Sequence, residues 1–299
     1  MSTLRPTAAL DPLALIDLVE AATGERLELL GTSGAGEVGA AFVRREDHSE
    51  AVLSGGPSAA ALRRAAEALE LARAAGLPVP RYLEVVEHGQ AVALLQERLP
   101  GRSPDRVDAQ LVTQLLGFVD GLRDLLPGSL GPEPTELHLL GSGPGYCIHE
   151  SLERFDERTR ELLGWVRSVG TAEGTRLAGS DLVHLDLHPG NVLVDDAGTI
   201  SGVVDWDAAG RGDARLAWVT LLFDLRWGAA FDRRYGPPGG RTVGRVEEQV
   251  ASLDRGLLRQ CWAHMSLRQV DWSLRHHGRT LVEHHLGVAL EGRRRYGLG

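Results

Sequence analysis

Apolar residues in the first hundred positions come in short runs broken by turn residues, and beyond them in longer stretches with helical spacing. An opening helix is expected from Asp11, with Pro12 at its first position, through Leu13, Leu15, Ile16, Leu18 and Val19 to a stop at Gly24. Leu27–Leu30, Ala41–Val43 and Ala51–Leu53 read as strands. A glycine-rich run, Gly31 to Gly39, separates the first two, and a turn at Glu46-Asp47-His48 separates the next pair. Ala59–Ala75 predicts an alanine-rich helix, which Gly76 ends and Leu77-Pro78-Val79-Pro80 cannot continue. Tyr82–Val86 and Ala91–Leu95 add two strands around the turn Glu87 to Gln90. Helical spacing then marks Val107–Leu126, Ser151–Val169, Leu216–Arg226, Val243–His264, Ser266–His276 and Thr280–Glu291, while 127–145 and 235–241 read as loops. The expected class is α+β in two lobes with a cleft between them. Residues 1–100 would form a small antiparallel five-stranded N-lobe and residues 101–299 a larger, mainly helical C-lobe.

Composition narrows the functional classes. No apolar run is long enough to span a bilayer, so no membrane partner is expected. Met1 to Pro12 lack the basic start and apolar core of a secretion signal, which makes the cytoplasm the expected location. Cys147 and Cys261 form no C-x-x-C pair and read as core thiols. Residues 105–208 carry 18 acids against 7 Arg, the wrong sign for a nucleic-acid backbone but suitable for a cationic small molecule. Residues 209–299 carry 15 Arg against 9 acids. All 32 basic residues are Arg, which excludes Schiff-base chemistry and the G-x-x-x-x-G-K-[ST] phosphate loop.

The most specific text is His184-Leu185-Asp186-Leu187-His188-Pro189-Gly190-Asn191-Val192-Leu193-Val194, followed by Ile200-Ser201-Gly202-Val203-Val204-Asp205-Trp206-Asp207. Two apolar runs around Asp195-Asp196-Ala197-Gly198 predict a hairpin, which brings Asp186 and Asn191 close to Asp205. Two carboxylates and an amide are hard oxygen donors that suit Mg²⁺. The spacing H-x-D-x-x-x-x-N is that of the kinase catalytic loop.

These motifs, together with Leu77-Pro78-Val79-Pro80 and Leu95-Gln96-Glu97-Arg98-Leu99-Pro100-Gly101 in the same order, resemble the aminoglycoside phosphotransferase family. Its members are antibiotic and small-molecule kinases with the protein-kinase-like fold, and the resemblance spans roughly residues 25–225. It implies transfer of a γ-phosphoryl group from ATP or GTP to a hydroxyl of a small molecule. Asp186 would be the catalytic base, and Asn191 and Asp205 the Mg²⁺ ligands. His184 and His188 would brace the loop, with His188 also able to line the substrate side. Thr32, Ser33, Gly34 and Gly36 would cover the phosphates with backbone N–H groups, and backbone groups of Glu97 and Leu99 would meet the adenine. Asp207, Glu153, Asp156 and Glu157 are acids that would contact substrate ammonium groups.

The chain departs from the family pattern at two places. Ser54 occupies the nucleotide-site position of a phosphate-contacting lysine at the end of the third strand. Glu67 or Glu70 is the helix acid near the usual partner position, and Arg44 or Arg45 is a candidate replacement cation. Gly212-Asp213-Ala214-Arg215-Leu216-Ala217 also has Ala217 where a second Asp is usual. Three functions therefore stay open: an antibiotic kinase, a metabolic small-molecule kinase, and a kinase-fold protein that binds nucleotide without catalysis.

Overall fold

Alternating apolar positions sort the side chains of the N-terminal strands onto two faces of a single sheet. The computed structural model describes residues 11–33, 39–143, 146–236 and 240–299. The first elements are α1 (Pro12–Thr23), β1 (Glu28–Ser33), β2 (Ala40–Arg44), β3 (Glu50–Gly55), α2 (Ala59–Ala74), β4 (Tyr82–His88) and β5 (Ala91–Glu97). Next come α3 (Ala109–Gly121), α4 (His149–Phe155), α5 (Glu157–Glu173), β6 (Asp181–Val183), β7 (Val192–Val194), β8 (Ile200–Val203) and β9 (Gly210–Gly212). The chain ends with α6 (Leu216–Phe231), α7 (Arg241–Ala251), α8 (Arg255–His276) and α9 (Arg279–Arg295). Among the described residues no helix is long and apolar enough to cross a membrane.

Contacts divide the chain into two units. The first holds the described residues up to Pro104, together with Asp124–Pro132 and Gly190–Ala209, and the second holds the remainder. In the first unit the strands lie in the order β1-β2-β3-β5-β4, each pair antiparallel. Ala93 and Leu95 of β5 join Val43, Ala51 and Leu53 against Leu15, Ile16 and Val19 of α1. Val92 and Leu94 turn to the other face and meet Ala59 and Leu62 of α2. The β7–β8 hairpin docks on the same unit: Arg102 and Val194 exchange backbone hydrogen bonds, and the Val203 N–H donates to the Pro78 carbonyl at 2.8 Å. Gly101 permits the approach. Its φ is +112°, and a Cβ there would lie 2.8 Å from the Val194 carbonyl oxygen.

In the second unit α8 packs against α4, α5, α6 and α9. Its apolar sides close the core, with Trp262 fully buried against Phe223 and its indole N–H donating to the Ala289 carbonyl. A further face is polar. Gln260, His264, Arg268, Asp271 and Arg275 recur every three or four residues and so share one side of the helix. Gln260 donates to the carbonyls of Glu173 and Gly174 at the end of α5, and His264 Nδ1 donates to the Leu137 carbonyl. Asp271 accepts the N–H groups of Cys147 and Ile148, the Ser151 hydroxyl at 2.6 Å, and the Arg275 guanidinium. The loop ahead of α4 is thereby pinned by buried hydrogen bonds rather than by regular structure.

Several boundaries differ from the sequence expectation, each for a local reason. The stretch expected as one helix over Ser151–Val169 is broken at Asp156, which is extended and caps α5 through a reciprocal bond pair with Thr159. The expected Val243–His264 helix breaks earlier, where Asp254 accepts the Leu257 N–H and starts α8, and α8 runs through Met265 without the expected interruption. The helix expected over Val107–Leu126 is confined to Ala109–Gly121, capped by Asp108. β6 and β9, three residues each, are too short to show alternation in sequence. Both cysteines are buried, and burial pushes both thiols up, that of Cys147 to about 12.

Because Asp271 is fully buried and satisfies four partners, Asp271→Ala should lower the unfolding free energy by about 3–5 kcal/mol. Urea denaturation checks this, and Asp271→Asn should lose less because its amide oxygen still accepts.

Candidate active site

Residues 184–188 follow β6 directly, so the β6–β9 pairing fixes where this loop starts. Three anchors hold it. The buried His184 accepts the Asp186 N–H on Nδ1 at 3.1 Å, which leaves the imidazole proton on Nε2. The Leu185 carbonyl accepts from Arg268 Nη1. Arg268 Nη2 lies 3.0 Å from Asp186 Oδ1. Burial pushes the Asp186 carboxyl up, but Arg268, His188 and His184 together outweigh it and hold the group below the usual carboxylate range. Asp186 is therefore an ionised carboxylate.

His188 stands between two acids, with Nε2 3.8 Å from Asp186 Oδ2 and Nδ1 3.8 Å from Asp224 Oδ1. Asp224 comes from α6 and is mostly buried. Burial pushes its carboxyl up to about 6, against the lowering pull of His188 and the Tyr235 hydroxyl. Neither Arg268 nor Asp224 carries a sequence signal, since each lies in a helix of ordinary apolar spacing far along the chain from Asp186.

The oxygen-donor pair belongs to the hairpin. The Val204 N–H donates to the Asn191 carbonyl at 2.9 Å, so Asn191 at the entry of β7 lies beside the residue that precedes Asp205. Asp205 has a φ of +68°, left-handed backbone that Asp tolerates better than most residues. The fully buried Trp206 anchors the turn, its indole N–H donating to the Val203 carbonyl at 2.8 Å. Burial, reinforced by the negative field of Asp207 and Asp205, pushes the hydroxyl of Tyr82 on β4 up. Among the described residues no group of three or more His, Cys, Asp or Glu forms a metal cage. One carboxylate with one amide oxygen fits Mg²⁺ instead, which keeps waters and takes substrate phosphate oxygens for the rest of its shell.

Other expected residues fall as follows. Thr32 and Ser33 end β1, paired with Ala41 and Ala40, while Gly34 and Gly36 lie outside the described residues. Ser54 pairs with Leu94 and so faces the α2 side of the sheet. Leu99 packs across Gly202. The Glu97 N–H donates to the Arg81 carbonyl at 2.8 Å, so the carbonyl is the Glu97 backbone group left for the expected base contact.

The acids of the α4–α5 region have structural tasks. Glu153 pairs with Arg167 at 2.6 Å, and Asp156 caps α5 and binds Arg158. Glu157 is an exposed first-turn acid of α5. In this structure Glu153 and Asp156 thus serve neighbouring cations and a helix end. Of the α2 acids, Glu67 and Glu70 are both exposed, and Glu70 pairs with Arg81 at 3.1 Å. Arg44 ends β2 and Arg45 follows it, four residues or about 13 Å of strand from Ala40 at its start. There they pair with Glu28 and Glu25, at 2.8 and 2.9 Å. Both guanidiniums are thus paired with glutamates at the end of β2 opposite Ala40.

Residues 34–253 match the sequence profile described as "Phosphotransferase enzyme family". An aminoglycoside 3'-phosphotransferase of Streptomyces fradiae is 31% identical over 159 residues, 50% of this chain and 59% of that protein. The uncharacterized protein YcbJ of Bacillus subtilis (strain 168) is 30% identical over 76 residues, a quarter of each chain. The chain thus spans less than two thirds of these curated relatives. Among solved structures, APH(4)-Ia in a ternary complex with ADP and hygromycin B superposes with a TM-score of 0.63 at 16% identity, covering 96% of this chain and 99% of that one. APH(3'')-Id from Streptomyces rimosus, with ADP and streptomycin, gives 0.53 at 20%, covering 85% and 97%. The GDP and kanamycin complex of APH(2'')-IIia gives 0.61 at 17%, covering 95% and 99%. All three share the protein-kinase-like α+β fold of this chain.

Two outcomes follow from the geometry. Asp224 has a folded pKa above its ordinary 3.8, so the folded state binds this proton more tightly than the unfolded one. The stability it confers is complete below about pH 4 and is lost as pH rises through about 6. In Asp224→Asn this loss disappears, so the variant should gain on the wild type across that window by about 1–3 kcal/mol, read from urea midpoints at a series of pH values. Arg44→Ala and Arg45→Ala should leave the KM for nucleotide within about twofold of wild type, because surface ion pairs far from the turn contribute little.

Proposed function

The chain belongs to the phosphotransferase enzyme family, and from that premise we propose that it moves the γ-phosphoryl group of ATP or GTP to a hydroxyl of a small molecule in the cytoplasm. The acceptor is an antibiotic of the aminoglycoside or basic peptide class. A single observation carries the reading. Asp186, in the loop after β6, is kept ionised by Arg268 at 3.0 Å, the state that a general base requires. The relatives support the substrate class, since the superposable structures hold hygromycin B, streptomycin and kanamycin beside ADP or GDP.

Asp186 takes the proton of the acceptor hydroxyl as its oxygen bonds to the γ-phosphorus. The bond from that phosphorus to the bridging oxygen breaks, and the nucleoside diphosphate leaves with the electron pair. His184 keeps the loop backbone in place through the Asp186 N–H, and His188 braces the carboxylate from the side of Oδ2. Asn191 and Asp205 would hold Mg²⁺, which when bound neutralises phosphate charge during transfer. Thr32 and Ser33 end β1 and lead in sequence into the glycine-rich run, the segment this reading assigns to the phosphates. The base of the nucleotide meets Leu99 and the carbonyl of Glu97. With Glu153 and Asp156 committed elsewhere, Asp207 is the acid best suited to an acceptor ammonium.

One observation favours a second reading, nucleotide binding without catalysis: Ser54 stands in the lysine position of a chain that has no lysine. Phosphoryl transfer depends on positioning and charge stabilisation more than on any single phosphate contact, and a pure binder needs no base at Asp186.

Purified protein incubated with Mg²⁺ and labelled ATP or GTP, against kanamycin, streptomycin, hygromycin B and a basic peptide antibiotic, separates the two. The expected result is transfer to at least one compound that Asp186→Ala lowers by roughly 100-fold or more. Nucleotide binding with no transfer to any acceptor would establish the second reading instead.

A further inference from the structure

Water screens an ion pair wherever it reaches either partner, so the exposure of each side chain shows which charge is left accessible. The pair at Asp186 is lopsided. Only 14% of the Arg268 side chain is exposed, whereas 34% of the Asp186 side chain is. The cation is fixed and the anion has an open side.

Three contacts immobilise the guanidinium. Nη1 donates to the Leu185 carbonyl, Nη2 meets Asp186 Oδ1 at 3.0 Å, and the group lies over the Tyr146 ring, 5.6 Å from its centroid. Tyr146 is fixed in turn by the loop that Asp271 pins through the adjacent Cys147 and Ile148 N–H groups. Arg268 is thus held by α8 and by a loop that α8 itself anchors. It grips the backbone and the side chain of neighbouring residues in the 184–188 loop, a two-point hold that a lysine point charge could not reproduce. The charges facing Asp186 are Arg268 from α8, His184 and His188 from its own loop, and Asp224 from α6 behind His188. Arg268 is the one of these with a permanent positive charge.

We propose that Arg268 is a positioning residue for phosphoryl transfer: by taking Oδ1 of Asp186 it fixes the carboxylate in one orientation and presents Oδ2 to the acceptor hydroxyl. The inference rests on the reading of Asp186 as the proton acceptor. In the transfer step the hydroxyl proton goes to Oδ2, the acceptor oxygen bonds to the γ-phosphorus, and the diphosphate departs. Arg268 gains and loses no atom, and acts by keeping the accepting lone pair aimed and the carboxylate ionised until the proton arrives.

The test compares wild type, Arg268→Gln, Arg268→Lys and Asp186→Asn by two measurements. In the first, labelled Mg-ATP is the donor and kanamycin, streptomycin and hygromycin B are the acceptors. Arg268→Gln should lower kcat roughly 100-fold while the KM for nucleotide and acceptor changes less than about threefold, and Arg268→Lys should recover part of kcat. In the second, ¹³C-carboxyl aspartate spectra are recorded against pH, with the Asp186 resonance assigned by its loss in Asp186→Asn. Asp186 should titrate at least about one pH unit higher in Arg268→Gln than in wild type. An unchanged kcat in Arg268→Gln, or an Asp186 titration that does not move, would overturn the proposal. If Asp186→Asn transfers phosphate as well as wild type, or none of the three compounds is phosphorylated, it is the base reading that has failed, and the spectra alone decide whether Arg268 holds the carboxylate. Should Arg268→Gln fail to fold, Arg268→Lys carries both measurements, with a partial kcat loss expected and full activity overturning the proposal.

Discussion

The second unit depends on one constraint: irregular loops buried against α8 must have their backbone groups satisfied, and a single polar stripe of that helix satisfies them. Gln260 takes the carbonyls that end α5, His264 the Leu137 carbonyl, Arg268 the Leu185 carbonyl and the Asp186 carboxylate, and Asp271 the N–H groups of Cys147 and Ile148. An unpartnered buried amide or carbonyl costs more than a formed hydrogen bond returns, so these side chains set the loop paths as firmly as a sheet ladder would. The loop bearing Asp186 is one of those loops. Its geometry is inherited from a helix that begins nearly seventy residues later in the chain.

His264 shows the cost of such an arrangement. Desolvation lowers its pKa to about 4, so it sits as a neutral ring with the proton on Nδ1, the form that can donate to the Leu137 carbonyl. Asp271 is as deeply buried and is satisfied by two backbone N–H groups, a hydroxyl and a guanidinium that converge on it. A helix carrying this many satisfied polar groups on one face can be apolar elsewhere, and Trp262, Met265 and Leu267 are fully buried on its other sides.

The first unit follows a different logic, in which period-two alternation alone distributes side chains to α1 or α2. The hairpin is attached to it by main-chain bonds at Arg102 and Pro78, and the left-handed Asp205 turns the chain immediately after β8. The absence of lysine matters here. Arg44 and Arg45 are tied to glutamates at the end of β2 remote from the glycine-rich run, and the α2 glutamates nearest in sequence to Ser54 are exposed. Ser54 itself faces the α2 side of the sheet beside Leu94, in a position where the resemblance leads one to expect a lysine.

What could be read from the chain was whatever depends on near neighbours. The five strands, α1 and α2 were legible because apolar period, Pro and Gly act within a few residues. The approach of Asn191 to the Asp205 turn was legible because a short hairpin turn brings the ends of its two strands together. The break at Asp156 had a written signal, Asp followed three residues later by Thr, which helical spacing across the whole stretch concealed. Contacts between residues far apart in sequence were not legible. Arg268 facing Asp186, Asp224 behind His188, Asp271 under Cys147, and the pairing of Glu153 with Arg167 depend on how helices pack. No period or spacing encodes those partners, because burial selects them by proximity and charge only once the helices have met.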